Sequence, residues 1–489
     1  MLEITSTEIR SLAADLLLIA AAEDGPLYED PAARGLIAAA QPYSELTGKS
    51  GDELVLHRPA AAGAVRVMFA GLGKAAEITP EDLRKAAGKA VKKAVHLGLK
   101  ELVMAAPDAD KLPFDAETAV SALLEGAFLG NHVFDHYKEK KDKQPVQKVV
   151  LAADAETAEA CSRIPSRVQA VCKGTLLARE WVNIPPNDKR PDRFVRSITK
   201  AADKEALTVT VLDEQALKKN KMGGIVAAGA GSRSRSRMVI LDYSPKKAKK
   251  TCALIGKGVT FDSGGINIKT GPTLEDMKMD MAGGACVAAA LIAASRLKPD
   301  FRVVGVIPVV ENMPSGDAAR PGDIIRSFAG KTVEIGNTDA EGRLILIDAL
   351  AYAEKMFAPD VMMDIATLTG ACIMALGEKI AGVFANDQKL SDAVVSAGES
   401  VYERCWPMPM PEDYRELLKS DFADIRNIGS SRWGGAIAAA LFLSEFVADT
   451  RWAHIDIAGP AYAKKGSDYC GAGGTGFGVR LLIEAMEKL

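Results

Sequence analysis

The stretch Cys252-Ala-Leu-Ile-Gly256-Lys-Gly-Val-Thr-Phe-Asp262-Ser-Gly-Gly-Ile-Asn-Ile-Lys269 decides the fold of this chain. It begins as an apolar run of strand length, stops at Gly256, and opens into a glycine-rich segment carrying Lys257, Asp262 and Lys269. A buried strand that runs out into such a loop is how α/β folds present side chains at the carboxyl edge of a sheet. Two later stretches have the same character: Met277-Lys-Met-Asp280-Met-Ala-Gly-Gly284 and Asn337-Thr-Asp339-Ala-Glu341-Gly-Arg343-Leu344. Together they supply the carboxylates Asp262, Asp280, Asp339 and Glu341. An isolated Asp-x-Glu is ordinarily a pair of solvated charges. Here the acids sit among glycines and apolar residues, where burial is expected and an unpaired charge is costly. Alternation along an extended segment puts Asp339 and Glu341 on one side. Such a cluster repels itself unless cations neutralise it, and metal ions do so most strongly. Lys257, Lys269 and Arg343 lie close by in sequence.

Outward from this stretch the pattern stays α/β. Strands are expected at Leu207–Leu212, Met238–Asp242, Cys252–Gly256, Arg302–Val310 and Val361–Ile365, with Ala-rich helices between them. Gly283–Ala294 and Gly434–Leu443 read as buried helices packed closely on the sheet. The N-terminal part is a smaller α/β domain with strands at Asp15–Ala21, Ala64–Ala70, Glu101–Ala106 and Val146–Ala152. Thr79 caps a helix whose first residue is Pro80 and third is Asp82; Leu83, Ala86, Ala87, Ala90, Val91 and Ala94 form its apolar stripe and Gly98 ends it. Thr118–Leu129 is a second helix. Glu156–Trp181 reads as a helix linking two domains, and the prolines within Asn183–Pro191 mark entry to the second. The expected division is an N-terminal α/β domain over 1–153, a linker helix over 154–181 and a catalytic α/β domain over 182–489.

Composition excludes several classes. Over 489 residues, 48% hydrophobic and 26% charged residues are the balance of a globular enzyme. A net charge of -3 points to neither nucleic acid nor an acidic membrane. No apolar run reaches the ~18 residues of a membrane helix, and the opening residues lack the basic and apolar regions of a signal peptide. The seven cysteines form no CxxC pair, which fits reduced thiols in the cytoplasm. Only His454 of the five histidines lies beyond residue 136, so a metal site in the second half must rest on carboxylates. Gly71-Leu-Gly73-Lys-Ala-Ala76 imitates a dinucleotide fingerprint, but no acidic residue ends a following strand where a ribose partner belongs. Gly48-Lys49-Ser50 lacks the leading glycine of a phosphate loop, since Tyr43 stands there. Lys138–Lys148 and Pro245–Lys250 are basic and read as solvated loops.

Asn337–Leu344 and Gly256–Lys269 closely resemble the leucyl aminopeptidase family, the two-metal cytosolic exopeptidases. The resemblance extends to Ala178–Pro186, Asp364–Gly370, Gly434–Leu443 and Trp452–Gly459, and more loosely to Gly71–Lys74 and Glu125–Tyr137. Departures are small: Ala230 stands where relatives often have Gln, and Ala461 where some have Met. The resemblance implies an N-terminal macro-like α/β domain and a C-terminal zinc-exopeptidase-like α/β domain on a mixed sheet. It implies two divalent ions, Zn²⁺ or Mn²⁺, held by Lys257, Asp262, Asp280, Asp339 and Glu341. Lys269 would act on the developing oxyanion, and Arg343 would hold a bicarbonate serving as general base. Met277, Thr367, Gly370 and Ala461 would line the pocket for the first side chain of a peptide with a free N-terminus. Leucine and other apolar residues would be preferred, and the assembly would be a homo-hexamer in the cytoplasm. His454, in the apolar run Trp452–Ile457, reads as structural. Some relatives double as nucleic-acid-binding regulators, and a catalytically dead scaffold is a further alternative. The acidic balance weighs against the first and the intact ligand set against the second.

Overall fold

The computed structural model describes residues 2–59, 62–271 and 274–489. It divides into two compact units, Met1–Cys172 with Lys465–Ala472, and Lys173–Lys464 with Gly473–Leu489.

The first unit is built on β1 (Leu2–Thr5), β2 (Leu16–Ala21), β3 (Glu53–His57), β4 (Arg66–Gly71), β5 (Glu101–Ala105) and β6 (Lys148–Ala152). They form one sheet in the order β1-β6-β5-β2-β4-β3, parallel except for β3. Helices α1 (Pro31–Ala40), α2 (Pro80–His96) and α3 (Ala116–Gly130) supply its connections. The Thr79 cap forms as the sequence predicts, with a reciprocal bond to Asp82. The two glycine stretches turn inward: the amides of Gly71, Leu72 and Gly73 are bonded to the carbonyls of Asp52, Ala21 and Gly48 at 2.9, 2.9 and 2.8 Å. Ala75 donates to Asp24 Oδ1. These amides are spent on bonds within the fold. The linker helix expected over 156–181 is two helices, α4 (Ala155–Ala160) and α5 (Ile164–Asn183). Pro165 has no N–H, and its ring would meet the Cys161 carbonyl in a continuous helix.

The second unit runs through α6 (Pro191–Ala202), β7 (Thr208–Leu212), α7 (Glu214–Lys219), α8 (Gly223–Ala228), β8 (Arg237–Tyr243), β9 (Thr251–Gly256), β10 (Gly258–Asp262), α9 (Ala282–Leu297) and β11 (Arg302–Asn312). It continues with β12 (Ile324–Arg326), β13 (Thr332–Glu334), α10 (Glu341–Phe357), β14 (Val361–Ala366), α11 (Gly370–Leu376), β15 (Ala381–Ala385), α12 (Gln388–Ser400), β16 (Cys405–Pro407), β17 (Ile425–Arg426), α13 (Gly435–Ser444), β18 (Arg451–Asp456) and α14 (Val479–Lys488). The main sheet has the order β16-β15-β18-β14-β9-β11-β8-β7, with β10 on β11. It is mixed: β18, β14, β9 and β11 are mutually parallel, while β15, β8 and β7 each bring an antiparallel pairing.

This sheet is covered on both faces. Val304 and Val306 of β11 pack into a core with α10, α13 and Trp452, while Gly305 between them meets Leu291 of α9. Alternation along one strand thus serves two helical layers. At the start of α9 a Cβ on Gly283 would stand 2.0 Å from the Ile365 carbonyl, so only glycine lets this helix lie so close to the sheet. Leu274–Leu297 has the length and mean hydropathy (1.4) of a membrane span, yet 83% of that window is buried within the fold.

Candidate metal centre

The parallel strands all end on one edge, and the predicted carboxylates collect there, as strand order reversal in α/β sheets allows. β9 and β10 run along the same neighbour, β11, and are interrupted at Lys257. The Lys257 amide leaves that ladder and donates to Ile365 O of β14 at 3.2 Å. Its side chain turns into the interior, 3% exposed. Lys257 Nζ lies 2.8 Å from Asp280 Oδ1 and 3.0 Å from Glu341 Oε1, and donates to Thr367 O at 2.9 Å.

Asp262 closes β10. Its Oδ1 accepts from the Gly264 amide and from Asn312 Nδ2, each at 2.9 Å. Asn312 also donates to Thr338 O at 3.0 Å, tying the β11 end to the loop before α10. Lys269 returns over the same site, its Nζ 2.8 Å from Asp262 Oδ2 and 2.7 Å from Asp339 Oδ1. Glu341 is the first residue of α10, where a helix N-terminus favours negative charge. Asp280 follows the short helix Leu274–Met279 and accepts from Thr367 Oγ1 at 2.7 Å.

The ligand atoms of Asp262, Asp280 and Glu341 lie within 4.8 Å of one another, and all three residues are buried. Burial and the Asp262 charge push Glu341 up to about 8, against the pull of Lys257. Burial pushes Asp280 up to about 6, partly offset by Lys257. Burial, then Asp262, raises Asp339 as well. Burial opposes the charge on Lys257, but Asp280, Glu341 and Asp262 together hold it above the ordinary lysine value. Two lysines leave four carboxylates under-neutralised, and the buried Asp280 Oδ2 and Glu341 Oε2 have no hydrogen-bond partner. Buried oxygens without donors, on a set of hard oxygen ligands, fit divalent cations.

Arg343 lies in the first turn of α10, 9% exposed, with Nη1 donating to Asn427 O at 2.9 Å and Nε without a partner. Burial lowers it to about 10, against the pull of Glu341, Asp456 and Asp339, so it stays a cation at neutral pH. Gly370 opens α11, and a Cβ there would meet nothing within 4 Å. Met277 lies in the short helix before Asp280. Ala461 is 2% exposed, and its neighbour Tyr462 has its ring 5.8 Å from Lys278 Nζ, so the segments carrying Met277 and Ala461 adjoin.

Sequence reasoning missed the residues that hold these groups. Asn312 and Asn427 carry no spacing signal, since their partners lie 50 and 84 residues away. Asp456 is fully buried, accepting from Thr369 Oγ1 at 2.7 Å and Leu368 N at 3.2 Å, so that it pins the turn between β14 and α11. His454 Nδ1 lies 2.6 Å from Asp364 Oδ1, and Trp452 Nε1 donates to Asp364 Oδ2 at 2.8 Å.

A mixed α/β sheet that gathers carboxylates and lysines at its strand ends suits divalent cations of the kind metal-dependent hydrolases use. Comparison with known proteins makes this specific. Residues 176–483 match the model of the cytosol aminopeptidase family catalytic domain, and residues 19–141 that of the family's N-terminal domain. The probable cytosol aminopeptidase of Geobacter sp. (strain M21) is 41% identical over 494 residues, spanning 100% of this chain and 99% of the relative. That of Chlorobaculum tepidum is 44% identical over 470 residues, spanning 93% and 92%. Among solved structures, the bottromycin maturation enzyme BotP in complex with Mn superposes with a TM-score of 0.87 at 35% identity, covering 97% of this chain and 99% of that one. The chain belongs to the cytosol aminopeptidase family, a family of metal-dependent peptidases acting on peptide substrates.

Proposed function

We propose that this aminopeptidase uses two divalent ions, Zn²⁺ or Mn²⁺, to release N-terminal residues, with leucine and other apolar side chains preferred. The observation that carries the two-ion reading is the buried carboxylate cluster with its unpartnered Asp280 and Glu341 oxygens. Asp262, Asp280, Asp339, Glu341 and the amine of Lys257 would hold the ions, which supply Lewis acidity toward water and the scissile carbonyl. The α-amine of the substrate is anchored in the same cluster, which restricts cleavage to the first residue.

Lys269 bridges Asp262 and Asp339 on the more open side of the site, with its side chain 21% exposed. From there its ammonium can donate to an oxyanion as it develops. Arg343 offers a fixed cation and a buried Nε–H without a partner, which suits a planar anion such as bicarbonate. Bicarbonate held there would accept the proton of the attacking water. Met277, Thr367, Gly370 and Ala461 form the pocket for the first side chain; Met adapts to apolar groups, and the space beyond Gly370 leaves room for branched ones. The division into an N-terminal domain over 1–153, a linker over 154–181 and a catalytic domain over 182–489, the homo-hexamer and the cytoplasmic location belong to the same proposal.

Hydrolysis of a leucyl amide, before and after exhaustive chelation, tests it. Activity should vanish on chelation and return with Zn²⁺ or Mn²⁺. Full turnover by thoroughly demetallated protein would end the two-ion reading.

A further inference from the structure

Lys189 is a fully buried basic side chain that the proposed chemistry leaves unused. It is 2% exposed, and among the described residues no carboxylate pairs with it. Lysine is almost never buried to this degree without a counter-charge. Its Nζ instead donates to two backbone carbonyls, Val182 O at 2.9 Å and Lys278 O at 2.7 Å.

Those acceptors are not arbitrary. Val182 lies in the last turn of α5, and Lys278 in the last turn of the helix Leu274–Met279. Helices leave their final carbonyls without internal donors, and their C-termini favour positive charge. One amine therefore caps two helix ends. Burial, with the Lys278 charge, pulls the Lys189 amine well below the usual lysine value, and what holds it is the pair of hydrogen bonds to these carbonyls rather than an ion pair.

Among the described residues, the Leu274–Met279 turn packs beside β10 but has few other polar anchors. Its side-chain ties, Lys278 over Tyr462 at 5.8 Å and Asp276 to Lys464 at 3.9 Å, are long. The turn carries Met277, and the Asp280 amide bonds back to Met277 O at 3.2 Å, so any shift of the turn moves the Asp280 carboxylate with it. We propose that Lys189 is a positioning residue that fixes this turn, setting both the pocket wall at Met277 and the carboxylate of Asp280. This rests on the roles given above to Met277 and Asp280.

The test uses the full-length protein loaded with Mn²⁺, comparing wild type, Lys189→Met, and Lys189→Ala with and without n-propylamine, which replaces the lost stem and amine. Three quantities are read: amide hydrogen exchange over residues 274–280, bound Mn²⁺ per chain, and the ratio of kcat/KM for leucyl and alanyl amides. Lys189→Met should speed exchange in this segment by at least about tenfold. It should lower bound Mn²⁺ from about two ions towards one, and reduce the leucyl-to-alanyl ratio about tenfold, chiefly through the leucyl KM. n-Propylamine should restore protection and ratio in Lys189→Ala. Unchanged exchange over 274–280, no effect of the amine, or an equal loss on both substrates at full metal content would overturn the proposal. If Lys189→Met does not fold, Lys189→Arg, which keeps charge and donors, carries the exchange measurement: wild-type protection supports the assignment and lost protection overturns it. A wild type that neither binds Mn²⁺ nor cleaves leucyl amide would sink the function reading instead, while the exchange arm still decides whether Lys189 holds the turn.

Discussion

Replacing Gly342 by Ala puts one methyl group into the space occupied by Lys257. A Cβ at position 342 would stand 2.6 Å from Lys257 Cε, 2.7 Å from Nζ and 2.9 Å from Cδ. Carbon atoms in contact prefer about 3.5–4.0 Å, so the lysine stem must retreat by about 1 Å. Lys257 Nζ has partners at 2.8, 3.0 and 2.9 Å, and a retreat of about 1 Å takes contacts of this kind beyond hydrogen-bond range. Stability should fall, because the roughly 1 kcal/mol of helix propensity that Ala gains over Gly is smaller than an overpacking cost of roughly 1–3 kcal/mol together with the loss of Lys257's buried contacts. The rate should not be spared: a displacement of this size in a catalytic site costs on the order of 10²-fold. Thermal unfolding, elemental analysis of bound metal and leucyl amide turnover, measured on one preparation, separate the two effects. Turnover within about twofold of wild type, with full metal content, would falsify the claim that Lys257 must occupy this slot.

Further outcomes follow from the same geometry. Lys257→Arg keeps the positive charge but offers no lone pair, so bound metal should fall from about two ions towards one and the rate by orders of magnitude; two ions and a near-normal rate would leave Lys257 as an ion-pair partner only. Ala461→Met should depress turnover of phenylalanyl substrates more than alanyl ones, and an equal response would place Ala461 outside the pocket. Thr369→Val removes the hydroxyl that donates to Asp456 and accepts from Cys372 N at 3.0 Å, which should cost about 1 kcal/mol in thermal unfolding; Thr369→Ser should recover most of it, and a Ser variant no better than Val would argue against the link. Light scattering should give about six times the 51.8 kDa chain mass, and a stable, fully active monomer would refute the hexamer.

The sequence carried the central strands because they are buried on both faces and read as unbroken apolar runs. Cys252–Gly256 and Val361–Ile365 are within a residue of β9 and β14. β10 escaped because Gly258, Thr260 and Asp262 look like loop, and only the neighbouring β11 makes the segment a strand. The carboxylates were legible because charge among glycine and apolar residues is a local anomaly. Their supports were not: Asn312, Asn427 and Asp456 act through pairings set by strand order, which no local spacing records. Lys189, between Asp188 and Arg190, reads as one solvated charge among several, and only the two helix ends above it reveal a buried amine.

The two edges of the nine-stranded sheet have different fates. β16 is three residues long and ends in Pro407, which has no N–H to offer another strand. β7 is the opposite edge, Thr208-Val-Thr-Val-Leu212, β-branched almost throughout and largely exposed, with Val211 at 40%. Such a strand holds a row of backbone donors and acceptors facing outward without a proline to interrupt it. If this protein aggregates on heating or overexpression, growth of sheet onto sheet begins at β7, and a lysine at Val211 is the cheapest guard against it.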